Sequence, residues 1–154
     1  MKVRRSVIRL MTIDDYPAVY ALWDSLPGIG LHEYEDSFEG MAYYLRRNPA
    51  SCFVALDDSR EATAPPQVVG AILCGNDGRR GYINHLAVAQ AYQGRGLGRA
   101  LVQACLEAMR KEGIPRCSFV VYRSNIEGNA FWDAIGSVRR DDALYRSIGT
   151  GQNL

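Results

Sequence analysis

Tyr82 to Met109, YINHLAVAQAYQGRGLGRALVQACLEAM, is the stretch on which the fold turns. It joins an apolar strand (Tyr82 to Val88), a short connector, a turn dense in glycine (Gly94, Gly96, Gly98) and a long helix. Glycine loses more backbone freedom on folding than alanine does, so three of them at a helix start need a compensating role. The usual one is close approach of backbone N–H groups to a ligand, above all an anion at the positive end of a helix. Residue types and their order therefore point to a phosphate-bearing ligand at the N-terminus of a helix beginning near Gly96.

Three glycine loops compete for this stretch. The ATP-binding loop ends in Gly-Lys-Ser/Thr, whereas Arg99 and Ala100 follow the third glycine here. The dinucleotide fingerprint needs its third glycine where Arg99 stands, so it fails as well. What remains is Gln93-Gly94-Arg95-Gly96-Leu97-Gly98, which matches Q/R-x-x-G-x-G/A. With the strand ending Leu86-Ala87-Val88 before it and an amphipathic helix after it, the segment resembles the acyl-CoA-binding signature of the GNAT superfamily of N-acyltransferases.

The rest of the chain agrees with a compact enzyme. At 154 residues it reads as a single domain, 1–154, able to bury roughly two-thirds of its unfolded surface without staples. A net charge of +1 provides no field for nucleic acid or an acidic membrane. No apolar run approaches the roughly 18 residues of a membrane helix, and MKVRRSVIRL lacks the apolar core of a signal peptide. A cytoplasmic location is the expectation. Cys52, Cys74, Cys105 and Cys117 form no Cys-x-x-Cys pair, so buried free thiols are expected and no metal site.

In order, Val7 to Met11 reads as a strand. Tyr16, Val19, Tyr20, Trp23 and Leu26 recur at helical spacing behind the candidate caps Thr12 and Asp14. A second helix is expected over about 37–46, then strands over Ser51 to Asp57 and Gln67 to Cys74, separated by the polar loop from Asp58 to Pro66. The long helix closes with Arg110, Lys111, Gly113 and Pro115. Cys117 to Tyr122 reads as a strand, and Ser124 or Asn125 caps a helix reaching Ile135. Two final strands are expected, Ser137 to Arg140 and Ala143 to Ser147. The order βααβββαβαββ describes an α/β (α+β) fold: a GNAT-like, mixed, mostly antiparallel twisted sheet with helices on both faces.

The resemblance covers Val7 to about Ser147. Asn125, Phe131-Trp132 and Gly136 look like the family's second motif, N-x-x-A-x-x-φ-Y-x-x-x-G-F. It implies that backbone groups of Leu86, Ala87 and Val88 pair with the pantetheine arm of acetyl-CoA like an added strand. It implies too that amides from Gly94 through Leu97 and Gly98 to Arg99 hold the diphosphate, with Asn125 touching the cofactor. Arg95 and Arg99 add charge to phosphate oxygens or are simply solvated. The motif departs at three positions: the family's acid tyrosine falls on Trp132, whose indole surrenders no proton at neutral pH, Gly128 replaces the alanine, and Ser137 the terminal phenylalanine. Water or the reacting amine can protonate a thiolate, so a slower or differently wired enzyme is expected, not a dead one.

For the base, period-two alternation puts Tyr82, Asn84 and Leu86 on one face and His85 on the other. Tyr82 and Asn84 are therefore the catalytic candidates, orienting a water, and His85 reads as an interior histidine with one satisfied nitrogen. His32 and Glu33 lie in the connector that borders the acceptor pocket in relatives, as bases or as solvated residues. Asp24, Glu33, Glu35, Asp36 and Glu39 make that connector acidic, which suits a cationic amine or a merely solvated surface. Trp23 is a candidate pocket wall, though helix-spaced aromatics are commonly core. The resulting expectation is acetyl transfer from acetyl-CoA to a primary amine, small or peptidic, by direct attack in a ternary complex. A non-catalytic acyl-CoA sensor is the alternative, and homodimer formation is left open.

Overall fold

The computed structural model describes residues 6–58 and 66–151. Most of the expected loop from Asp58 to Pro66 lies outside the described residues. The chain forms two compact units, Met1–Phe119 and Val120–Leu154.

The first unit holds a sheet whose strands are neighbours in chain order: β1 (Ser6–Leu10), β2 (Phe53–Asp57), β3 (Gln67–Asn76), β4 (Gly81–Val88) and β5 (Cys117–Ser118). All contacts are antiparallel except the parallel pairing of β4 with β5. Helices α1 (Tyr16–Asp24) and α2 (Phe38–Arg47) lie between β1 and β2, and α3 (Leu97–Lys111) between β4 and β5. Pro17 sits in the first turn of α1, where a missing N–H is harmless. The Ser37 side chain accepts the Gly40 N–H and caps α2.

Alternation along the strands sends side chains to two cores. Val54, Leu56, Ala71, Leu73 and Ala87 face α1 and α2 and pack with Val19, Trp23 and Met41. Gly70 lies under Leu101 of α3, so close that a Cβ would come within 3.0 Å of the leucine methyl. Helices thus cover both faces of the sheet, as the sequence pattern implied.

Two expectations change. β5 runs only from Cys117 to Ser118 and not to Tyr122, because it stays beside β4 for just two pairs, Gly81–Cys117 and Tyr82–Ser118. In the second unit, α4 (Ile126–Ala134) forms as expected, with Asn125 and not Ser124 as its side-chain cap. The two strands after it do not form: Val138, Leu144, Tyr145 and Ile148 are all exposed, so no apolar face is buried to drive pairing. Between them, Arg139–Asp141 and Arg140–Asp142 pair locally.

Candidate active site

The site is built around β4. On its outer edge the parallel ladder stops at Tyr82, so Ile83 to Val88 have no strand neighbour on that side among the described residues. Backbone groups left without a ladder need another partner, and an extended amide-bearing ligand supplies one. Leu86, Ala87 and Val88 lie in this segment, with Ala87 and Val88 paired to β3 on the inner side.

β4 leads through a 3-10 turn, Gln90–Tyr92, into the glycine turn. The Gln93 side chain donates to the Val88 carbonyl at 3.0 Å and ties the turn to the strand end. Gly94 (φ +73°) and Gly96 (φ +80°) adopt the left-handed conformation that glycine takes without strain. Gly96 is the N-cap of α3 and has no side chain to offer, so the first-turn amides of Leu97, Gly98 and Arg99 receive no side-chain cap. Open space surrounds both glycines where a Cβ would stand. An uncapped helix end with backbone room beside it fits a diphosphate. Arg95 lies over the Tyr92 ring, 5.4 Å from its centroid, and Tyr92 donates its hydroxyl to buried Asp57. Arg99 is exposed on the first turn of α3.

Toward α1 and α2 the strand departs from simple alternation. Ala71 pairs with Ala87 but Leu73 with Asn84, so β4 carries one extra residue in this interval. His85 sits there with φ +49°, the one described non-glycine residue in the left-handed region. The bulge overturns the parity argument by bringing Asn84, which pairs with Leu73, and its neighbour His85 out on one side of the sheet, where His85 turns toward Trp23 of α1 and the cluster of Leu73 and Ala87. Its Nε2 lies 2.7 Å from Asp36 Oδ1. Asp36 is only 4% exposed. Its other oxygen accepts the His32 N–H at 2.7 Å, and its backbone carbonyl accepts the Tyr16 hydroxyl at 2.7 Å. Burial pushes the Asp36 carboxyl up, but the bonds from His85 and His32 outweigh it and hold the group below the usual carboxylate range.

Tyr82 and Asn84 are exposed on β4, and Asn84 neighbours the buried Tyr44 hydroxyl of α2. Trp23 is fully buried, so it is not an open pocket wall; its ring packs edge-on against His85 at 4.8 Å and backs the site from below. The His32 and Glu33 side chains are exposed, and the connector's acidic residues are not one solvated set, because Asp36 faces inward. Asp36 is the functional candidate that sequence reasoning missed. Nothing in a run of acidic residues marks which one will be buried.

Cys52, Cys74, Cys105 and Cys117 are free thiols, and burial pushes Cys52 up to about 12, far from nucleophilic at neutral pH. In the second unit, Asn125 caps α4 by accepting the Gly128 N–H at 2.9 Å. A Cβ at Gly128 would lie 2.5 Å from the Asn125 amide nitrogen, so a larger residue there would have to shift the capping side chain. Trp132 is buried and meets Phe131 edge to face at 5.2 Å.

A sheet of this order, a β4 edge with no strand neighbour past Tyr82 among the described residues and an uncapped glycine turn fit the acyltransferase class that the sequence resembles. The model of the acetyltransferase (GNAT) family matches residues 16–136, and the chain belongs to that family. It is 31% identical over 109 residues to N-alpha-acetyltransferase 30 of Schizosaccharomyces pombe, covering 68% of this chain and 67% of that one. The Saccharomyces cerevisiae protein of the same name is 28% identical, and the match spans 57% of its length. An acetyltransferase of Sodalis glossinidius is 29% identical over 89% of this chain and 90% of its own. Among solved structures, the NatC complex bound to Gag peptide and CoA superposes with a TM-score of 0.73 at 22% identity, over 88% of this chain and 86% of that chain. The PaiA N-acetyltransferase of Thermoplasma acidophilum in complex with coenzyme A gives 0.70 at 22%, over 86% and 89%. Membership of that family makes this protein an acyltransferase. No described helix is long and apolar enough to cross a membrane.

Proposed function

We propose that the enzyme acetylates a primary amine, of the kind found at a peptide N-terminus, by direct attack in a ternary complex. One observation carries the reading: past Tyr82, the outer edge of β4 has no strand neighbour among the described residues and leads to the uncapped glycine turn, while Tyr82 and Asn84 stand exposed on the same strand. A single strand thus offers one substrate a backbone edge and the other an open approach. Backbone N–H groups along that edge are suited to polarising the thioester carbonyl. Exposed Glu33 and Glu35 in the connector favour a cationic amine, and two relatives carry the name N-alpha-acetyltransferase. Both units belong to one acyltransferase domain in this reading, since the family match runs through them, and the free thiols suit a reducing cytoplasm.

The test is thiol release from acetyl-CoA with matched acceptors: peptides with a free N-terminus, the same peptides blocked there but carrying lysine, and small polyamines. Free N-termini are expected to turn over and blocked peptides are not; equal turnover of blocked lysine peptides would sink the assignment. Trp132, which has no proton to give, keeps the sensor reading alive; its signature is coenzyme A binding with no turnover of any amine.

A further inference from the structure

We infer that His85 takes the proton from the attacking amine through Nδ1, and that Asp36 is the positioning residue that leaves Nδ1 available. This rests on the amine-acetylating reading above and names the group that serves it. An ionised carboxylate only accepts hydrogen bonds, so across the 2.7 Å contact Nε2 must carry the hydrogen. In a neutral ring the lone pair then falls on Nδ1. Among the described residues Nδ1 has no hydrogen-bond partner.

The ring is held on three sides. Asp36 fixes Nε2 and is itself fixed by the His32 N–H, while Trp23 packs against the ring at 4.8 Å. The backbone at φ +49° is the third constraint. A positive φ on a residue with a Cβ costs on the order of 1–3 kcal/mol and persists only where the surroundings over-determine it. The bulge is what brings His85 out on the side of Asn84, immediately before Leu86, Ala87 and Val88. With the side chain 18% exposed, the ring is reachable yet largely shielded from water.

The proton balance is simple. The acceptor's ammonium gives one proton to Nδ1, and the ring becomes an imidazolium. The freed amine lone pair forms the new N–C bond as the C–S bond breaks. The amine's second proton goes to the departing sulfur, its third stays on the amide, and the imidazolium returns its proton to solvent.

Nitrogen-15 NMR of the ligand-free protein reads the tautomer directly. The expected wild-type ring is Nε2–H, and Asp36→Asn mixes the two tautomers and lowers kcat about tenfold to hundredfold. His85→Asn tolerates a positive φ but has no base. Its kcat should fall roughly 10²–10⁴-fold, with coenzyme A affinity within about twofold of wild type. In His85→Gly, free imidazole should restore part of the lost rate. An Nδ1–H tautomer in the wild type, or undiminished kcat in His85→Asn, overturns the proposal. A wild type that turns over no peptide overturns the acceptor assignment instead, and the tautomer still decides His85.

Discussion

The turn at Gly94–Gly98 and the corner around His85 flank the same strand and are made of different material. The turn works through backbone groups that are consecutive in the chain: two left-handed glycines and three uncapped amides. The corner works through side chains drawn from Trp23, Asp36 and His85, with Asp36 and His85 49 positions apart. A site made of consecutive backbone must be written in residues that let the backbone approach a ligand, and glycine is conspicuous. A site made of distant side chains is written only in the fold that gathers them. Damage should therefore separate cleanly: changes in the turn act on coenzyme A affinity, and changes in the corner act on turnover.

The sharpest way to break that separation is at Gly40, on the first turn of α2. A Cβ there would collide with the Tyr34 carbonyl oxygen and stand 2.7 Å from that of Glu35, both backbone atoms of the connector that carries Asp36. Overpacking of this kind costs roughly 1–3 kcal/mol. Gly40→Ala should lower the unfolding free energy by about 2 kcal/mol and kcat by at least about tenfold, as Asp36 shifts away from His85. Denaturant unfolding and steady-state kinetics measure both. Coenzyme A affinity, read by calorimetry, should hold; if it falls together with kcat, the two regions are not separable.

Gly96→Ala makes the complementary test. Among the described residues no atom meets the added methyl group, so the effect is confined to the backbone at φ +80°. Forcing alanine into the left-handed region costs roughly 1–2 kcal/mol. Relaxation of the turn to avoid that strain would turn the amides of Leu97 to Arg99 away from the position proposed for the diphosphate. Coenzyme A should bind about tenfold more weakly, since about 1.4 kcal/mol is tenfold in affinity, with kcat at saturation little changed. An unaltered dissociation constant would remove the turn from the cofactor site.

The same contrast explains what the sequence disclosed. Gly94 to Arg99 and the strand before them were legible because φ restrictions leave few alternatives to glycine. The helices were legible from Tyr16, Val19, Trp23 and their spacing, and Pro115 marked where α3 must already have ended. His85 was set on the face opposite Asn84 because alternation presumes an unbroken pleat, and the extra residue in β4 brings the two out on one side. Histidine is tolerated at positive φ, so nothing like a glycine flagged the interruption. Asp36 looked like its acidic neighbours, and burial is a property of the packing around it. The final hairpin was inferred from scattered apolar residues, among which Val138 and Leu144 find nothing to cover them.

The smallest effect separates two buried carboxylates. Asp15 accepts a two-pronged contact from Arg9, at 2.8 Å for each oxygen, and the Thr12 N–H at 2.8 Å. Burial pushes its carboxyl up, but these bonds outweigh it and leave it below the usual value, as for Asp36. A carboxyl depressed in the folded state contributes stability that is present above the unfolded pKa, near 4, and is lost as pH falls through the folded value. Each carboxylate should therefore give the wild type a share of stability at pH 6 that fades by pH 3. Asp15→Asn and Asp36→Asn should each unfold more easily at pH 6, by about 1 kcal/mol for Asp15, because Arg9 is half exposed and its attraction is screened. Both variants should converge on the wild type in acid, in thermal melts across that range. They should part company in kinetics at pH 7, where Asp15→Asn keeps wild-type kcat and Asp36→Asn does not. Equal kcat in the two variants would make Asp36 a purely structural carboxylate, with the corner around His85 holding the connector in place and doing nothing more.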